Sequence, residues 1–170
     1  MIEMVHAPRE AQTKRTRLVL ASDTAAAVEI QSTTTTEQID RADESTQNEQ
    51  YISQHIAYRI SQTQGDLKSL FDSTYQALQA LGDDVQVREQ KFYVAFKRIK
   101  NFACLEVYPQ RGVVLVHVKV DPDTITLEPG FSRDVRAVGH FGTGDLQLSL
   151  RNTNDLQKAQ PLFVRSYEGS

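Results

Sequence analysis

Cysteine, histidine and carboxylate side chains alternate with apolar residues in one stretch of the chain, and together these groups could form a reactive site. Cys104 and Glu106 lie two residues apart, and His117 follows in the next apolar run. A thiol, an imidazole and a carboxylate are the groups of a nucleophilic site. The alternative is that Cys104 is a packed, unreactive side chain beneath another element, since a buried thiol behaves as a small apolar group. We favour this alternative and predict no catalytic residue.

A second candidate site is the glycine-rich segment GHFGTGD at residues 139–145. Glycines allow backbone amides to approach an anion, and Arg133, His140 and Asp145 would be the polar side chains of a ligand-binding corner. However, the lysine and hydroxyl residue of a P-loop are missing, and the order of strand, glycine turn and helix in a dinucleotide site is reversed. The alternative is a structural turn in which His140 and Asp145 satisfy nearby polar groups.

A third candidate combines positive charge with aromatic rings in a single hairpin. Its members are Lys91, Tyr93, Lys97, Arg98, Lys100 and Phe102. Such a surface suits single-stranded nucleic acid, because cations neutralise phosphates and bases stack on rings. The alternative is a solvated hairpin tip whose lysines oppose aggregation through the sheet edge. Nucleic acid is therefore a candidate partner.

Metal-dependent chemistry is not predicted. Pro122 and Asp123 match the first dipeptide of a nuclease motif, but no acidic-x-Lys triplet follows to hold a divalent ion. The single cysteine excludes an intramolecular disulfide framework and a zinc ribbon, and it fits a reducing compartment. We therefore predict no metal and no cofactor, and we interpret Pro122-Asp123 as a turn.

A β-meander must position the first and third candidates, because apolar and polar residues alternate there with the period of half-buried strands. With a four-residue loop at 98–101, one register satisfies all three strands. It places Lys97 opposite Phe102, and Cys104 opposite His117 on the outer face. That face carries so much apolar area that we expect another element to cover it, with the helix at 47–62 as the candidate.

Other elements follow from periodicity and from helix-capping signals. We predict a short amphipathic helix at 47–62, with Tyr51, Ile52, His55, Ile56, Arg59 and Ile60 on its buried side; a helix at 67–81 capped by Asp66; a short strand at Val85 and Val87; one helical turn at 131–138; a fourth meander-like strand at 146–150; and a last helix, capped by Thr153 or Asn154, that is kinked or divided at Pro161.

The expected architecture is a single α+β domain over residues 47–168, with an antiparallel sheet of four or five strands and packed helices. Residues 1–46 hold few large apolar side chains, so we expect a flexible tail. The net charge of -3 argues against a nucleic-acid polycation. The sequence contains neither an apolar run long enough for a membrane helix nor the apolar centre of a signal peptide, which predicts a cytoplasmic protein with no membrane partner.

Two segments, KFYVAFKRIKNFACLEV and FSRDVRAVGHFGTGDLQLSLRNTNDLQKAQPLFVRSYE, resemble an uncharacterised bacterial and archaeal domain labelled "predicted transport protein". The resemblance covers roughly residues 67–168, and its most specific part runs from 133 to 145. That domain often follows an endonuclease-like domain of the P-D-[DE]-x-K type, so the resemblance implies a nuclease-associated context. Only about 66 residues precede the match here, which we expect to be too few for a nuclease domain.

Together these patterns predict a non-catalytic accessory module that binds nucleic acid or a protein partner, such as a nuclease. The alternative is a small-molecule-binding or enzymatic domain that uses the corner formed by RDV and GHFGTGD.

Overall fold

The computed structural model describes residue 47 and residues 50–170, and a six-stranded antiparallel sheet forms the centre of this part. The strands are β1 (Gln86–Glu89), β2 (Val94–Lys97), β3 (Asn101–Tyr108), β4 (Val113–Val118), β5 (Ser132–Asp134) and β6 (Leu146–Leu150), and their spatial order is β1-β2-β3-β4-β6-β5. The α+β class is confirmed, but the sheet has six strands rather than four or five. The predicted tail, 1–46, lies outside the described residues.

From residue 56 onward, three α-helices accompany the sheet: α1 (Ile56–Ser61), α2 (Gly65–Gln79) and α3 (Thr153–Glu168). Residues 50–53 are also helical, so the predicted helix at 47–62 is interrupted before α1. The N-cap of α2 is Gln64, with no side-chain hydrogen bond, so the predicted cap at Asp66 is wrong. No helix in the described part of the chain is both long and apolar enough to cross a membrane.

The main core lies between one face of the sheet and the helices α2 and α3. Both helices contact β3 and β4, and α3 also contacts β6. Burying one large apolar side chain contributes about 1.5–3 kcal/mol, so the completely buried ones dominate the stability of this layer. The largest of them include Phe96, Phe102, Phe163, Leu78 and Leu105.

Helix α3 is continuous through Pro161, so the predicted division into two short helices is wrong. The cap is Asn152, whose side chain accepts a hydrogen bond from the Asp155 amide at 2.9 Å. Pro161 is exposed, on the side of the helix where water can satisfy the carbonyl that loses its amide partner. The buried residues of α3 continue on both sides of the proline, from Leu156 to Ser166, so both halves pack against the core.

The meander register is confirmed over most of its length, with one local correction. Ala95 pairs with Cys104, and Cys104 pairs with His117, as predicted. Beyond Phe96 the register shifts, and Lys97 pairs with Asn101 rather than with Phe102. Such a bulge changes the face to which the next side chain points. Phe102 is accordingly part of the main core.

The sheet has more strands than predicted partly because β5 was not recognised in the sequence. Residues 131–138 were expected to form a helical turn, but Ser132–Asp134 pairs with β6 at the sheet edge. Three residues are too few to show an alternating pattern, and a polar edge strand carries little hydrophobic signal. The strands predicted around Val87 and at 146–150 are present as β1 and β6.

Candidate functional site

Cross-strand pairing assembles a row of reactive and polar side chains on the outer face of the sheet. His117 of β4 pairs with Cys104 on one side and with Gln147 on the other. Gln147 pairs in turn with Arg133 of the edge strand β5. Because directly paired residues point to the same face, this row runs across four strands.

The glycine-rich segment 139–145 folds over this row. The Thr143 amide donates a hydrogen bond to the Cys104 sulfur at 3.3 Å. Gly142 has a φ of 84°, and a Cβ atom there would lie 2.5 Å from the same sulfur. The glycine therefore permits both a left-handed backbone and a close approach to the sheet. Two candidates that the sequence presented separately, the cysteine–histidine pair and the glycine corner, form one region.

Aromatic stacking fixes the middle of the segment. Phe141 stacks on Phe92 with ring centroids 4.3 Å apart. His140 stacks on His117 with centroids 4.5 Å apart and an interplanar angle of 14°. The expectation that another element covers the outer face is thus confirmed at Cys104 and His117.

A buried ion pair lies beside the histidines. Arg59 of α1 donates to Glu106 of β3 at 3.3 Å, and their side chains are 7% and 2% exposed. The Tyr108 hydroxyl donates to the same carboxylate oxygen at 2.7 Å, and the Arg59 guanidinium lies 4.2 Å from the centre of the tyrosine ring. Burial raises the pKa of Glu106, while the tyrosine hydroxyl and the guanidinium act in the opposite direction.

His117 is the most unusual polar residue of the region. It is 2% exposed, and neither ring nitrogen has a hydrogen-bond partner within the described residues. Its Nδ1 lies 3.5 Å from Glu106 Oε1. Burial, with a smaller contribution from the charge of His140, lowers the pKa of His117 to about 4, while the Gln147 side chain acts in the opposite direction. The imidazole is therefore neutral near pH 7.

These side chains surround a pocket with a volume of about 210 Å³. The residues that line it are Glu106, Tyr108, Arg111, Leu115, His117, Arg133, Gly139, His140, Phe141 and Gln147. Arg133 donates to Gln147 at 3.0 Å, and the carboxylate of Glu106 is already paired with Arg59. The remaining guanidiniums, at Arg111 and Arg133, give the lining an excess of positive charge.

The structure brings together only part of the predicted ligand corner. Arg133 and His140 line the pocket, whereas Asp145 does not. Asp145 is exposed, and its backbone amide donates to the Val118 carbonyl while its carbonyl accepts from the Val135 amide. Its backbone thus ties the end of the segment to the sheet, which is the structural role that we considered as the alternative.

The cations of the predicted hairpin surface are separated rather than grouped. Lys91 lies 4.2 Å from the centre of the Tyr51 ring, before β2 begins. Lys97, Arg98 and Lys100 are at the other end of that strand, where Arg98 pairs with Asp84 at 2.8 Å. Six residues of extended chain span about 20 Å. Lys91 therefore lies apart from Lys97, Arg98 and Lys100 and forms no compact cluster with them.

The aromatic members of that surface are also less available than expected. Phe102 is fully buried, so no nucleobase can stack on it in this structure. Tyr93 is partly buried beside the segment that covers Cys104, and a Cβ atom on Gly142 would lie 3.3 Å from its ring.

The surroundings of Cys104 and Asp123 indicate structural rather than catalytic roles. Cys104 is buried, and burial raises the pKa of its thiol, which disfavours the thiolate. Pro122–Thr124 forms one 3-10 turn, in agreement with the predicted turn, and Arg136 pairs with Asp123 at 2.8 Å. Within the described residues, histidine, cysteine and carboxylate side chains form no group of three suited to a metal ion.

Sequence reasoning missed three contributors to the site: Arg59, Arg111 and Gln147. A signal for Arg59 was present, since this cation fell on the buried side of the predicted helix. A charge at such a position requires a buried partner. Arg111 and Gln147 gave no comparable signal, because they belong to an exposed turn and to the polar side of an alternating strand.

The fold and pocket define a small α+β domain whose outer sheet face holds a partly covered polar site. Residues 52–170 match the family described as "Domain of unknown function (DUF5655)", and the chain belongs to that family. This agrees with the resemblance to an uncharacterised domain.

The chain is also similar to an uncharacterized protein of Haemophilus influenzae, with 22% identity over 100 residues. The alignment covers 59% of this chain and 32% of that protein, so the chain spans about a third of the length of this relative. No solved structure matches the chain.

Proposed function

We propose that this domain binds a small anionic ligand in the outer-face pocket. The observation that carries the proposal is His117, a nearly inaccessible imidazole with both nitrogens unpartnered in the described structure, in a pocket that Arg111 and Arg133 also line. Buried polar groups without partners are rare in folded proteins, and a functional role or a bound molecule is among their explanations. The volume of about 210 Å³ is below the usual range for drug-sized ligands, which favours a small molecule.

The chemistry of the pocket supports binding more than catalysis. A general base works best when its pKa lies near the working pH, and the pKa of His117 is about 4. The raised pKa of Cys104 likewise keeps the thiol protonated. Arginine, by contrast, stays charged and presents several N–H donors to a carboxylate or phosphate, which suits recognition of an anion.

Arg133→Gln is expected to weaken binding of a dianionic probe, malonate or inorganic phosphate, by about tenfold, since a charge-assisted hydrogen bond contributes about 1.5–3 kcal/mol. Titration calorimetry at low salt measures this. Arg88→Gln is the matched control, because Arg88 is an exposed arginine on the opposite edge strand and changes the net charge equally. Equal weakening by both variants, or no binding by the wild type, would contradict the proposal.

Nucleic-acid binding is a second candidate, favoured by the exposed turn that follows β2. Lys97 and Lys100 have no ion-pair partner within the described residues, and Ile99 between them is 74% exposed. We propose that this turn is the surface that contacts nucleic acid. We also propose that a nuclease-like protein is a partner of this domain, because the resemblance implies a nuclease-associated context.

The salt dependence of binding tests this candidate. With three cations at one end of the hairpin, the slope of log K against log salt should be about -2 on single strands. Fluorescence anisotropy with labelled oligonucleotides measures the slope, and changing Lys97, Arg98 and Lys100 to Gln should flatten it. A slope that is unchanged in this variant would exclude the turn as the binding surface, and Lys91→Gln serves as the control at the far end.

A further inference from the structure

The two stacked histidines of the pocket have hydrogen-bonding requirements that the described residues leave unmet. In His140, Nδ1 lies 2.9 Å from the Val138 carbonyl oxygen. A carbonyl oxygen only accepts, so Nδ1 carries the proton of the neutral ring. The other nitrogen, Nε2, is then an acceptor, and it is buried without a partner in the described structure.

In His117 the proton is also on Nδ1 and Nε2 is the acceptor, but for a different reason. Its Nδ1 faces Oε1 of Glu106 at 3.5 Å, and a nearby carboxylate favours the tautomer that carries the proton on Nδ1. The other carboxylate oxygen accepts from Arg59 and Tyr108, which holds Glu106 in place. Nε2 of His117 is therefore a second buried acceptor without a partner among the described residues.

We infer that the ligand joins an anionic group to a neutral hydrogen-bond donor, such as a hydroxyl, amino or amide N–H group. This inference rests on the proposed function and specifies the ligand class. Arg111 and Arg133 bind the anionic end, and the Nε2 atoms of His117 and His140 accept hydrogen bonds from the donor.

A simple anion does not meet both requirements. Its oxygen lone pairs would face the lone pairs of the two Nε2 acceptors and the nearby carboxylate of Glu106, and like groups repel at short range. A neutral donor without charge would leave the two guanidiniums unused. A carboxylate and a phosphate are equally compatible with arginine, so the shared chemistry is an anion that carries a donor.

The tautomers can be tested without any ligand. In nitrogen-15 NMR spectra of the histidine side chains near pH 7, both rings should show a protonated Nδ1 and an unprotonated Nε2. Single substitutions His117→Gln and His140→Gln assign the signals. Protonation of Nε2 in both rings would overturn the inference and would leave the anion-binding proposal intact.

Four matched aromatic probes test the ligand class. 3-Aminobenzoate has an anion and a donor, benzoate lacks the donor, nicotinate replaces the donor with an acceptor, and 3-aminobenzamide lacks the anion. The wild type should bind 3-aminobenzoate at least about fivefold more tightly than each of the others. This preference should disappear in His140→Phe, which removes an acceptor from an exposed segment, and should persist in Arg88→Gln.

The outcomes separate the two proposals. If none of the anions binds, the proposed function fails. If benzoate and 3-aminobenzoate bind equally and both depend on Arg133, the anion site is supported and the donor inference is wrong. If nicotinate binds best, the polarity of the histidines is the reverse of that inferred here.

Discussion

Arg59→Met is expected to lower the free energy of unfolding by about 3–5 kcal/mol, because it removes one partner of a buried ion pair and leaves the other without compensation. The two side chains are 7% and 2% exposed, so solvent screens the remaining carboxylate of Glu106 only weakly. Tyr108 still donates to that carboxylate, but a single neutral hydrogen bond does not replace a guanidinium. Urea denaturation monitored by circular dichroism measures the change.

A double-mutant cycle separates the pair from its surroundings. Arg59→Met combined with Glu106→Leu should recover most of the lost stability, since apolar replacements of a buried pair are often neutral or better. The pair between Lys158 and Glu128 is the surface control, with side chains 41% and 53% exposed. Lys158→Met should leave the free energy of unfolding nearly unchanged, because an exposed ion pair contributes little. Equal effects of Arg59→Met and Lys158→Met would show that the Arg59–Glu106 pair is not buried in solution.

The sheet illustrates what hydrophobic periodicity predicts well. Alternation over several residues identified β2, β3, β4 and β6, and it also gave most of the register among β2, β3 and β4, because a shift by one residue would expose every apolar side chain on the buried face. The pattern failed at the bulge beside Lys97 and in the three-residue strand β5. In both places the strand is too short or too irregular for a period to appear.

The pocket shows which contacts hydrophobic periodicity does not predict. His117, Arg133 and the segment 139–145 were recognised as chemically interesting in the sequence, but the contact between that segment and His117 depends on β6 pairing beside β4. That pairing is a long-range contact, and local pattern does not specify which strand edge receives β6. Gly142 and Gly144 are the residues whose type fits the close approach, since a Cβ atom would lie 2.5 Å from the Cys104 sulfur at the first and 2.8 Å from the Val118 nitrogen at the second.

The buried histidine gives the second large prediction, a loss of stability in acid. In the unfolded chain His117 takes up a proton as the pH falls through about 6.5, whereas in the folded domain its pKa is about 4. Between these values the unfolded state binds more protons, so lowering the pH favours unfolding. The contribution is fully present above pH 6.5 and is lost as the pH falls towards 4.

Other groups that face His117 titrate or carry charge, and their effects must be separated from its own. Arg59 and Arg133 stay charged throughout, and His140 stacks directly on the ring. The raised pKa of Glu106 acts with the opposite sign, because the folded state then takes up that proton first and gains stability as the pH falls. The pH dependence of the wild type alone therefore underestimates the contribution of His117.

Comparison of the wild type with His117→Phe and His117→Gln isolates the contribution. Between pH 7 and pH 5 the wild type should lose about 2 kcal/mol more stability than either variant, as expected for a pKa that falls from 6.5 to about 4. The two variants differ in polarity and volume but share the loss of the titrating ring, so their pH dependences should agree even if their stabilities at pH 7 differ. If both variants lose stability in acid as steeply as the wild type, His117 is not the buried neutral imidazole on which the ligand site depends.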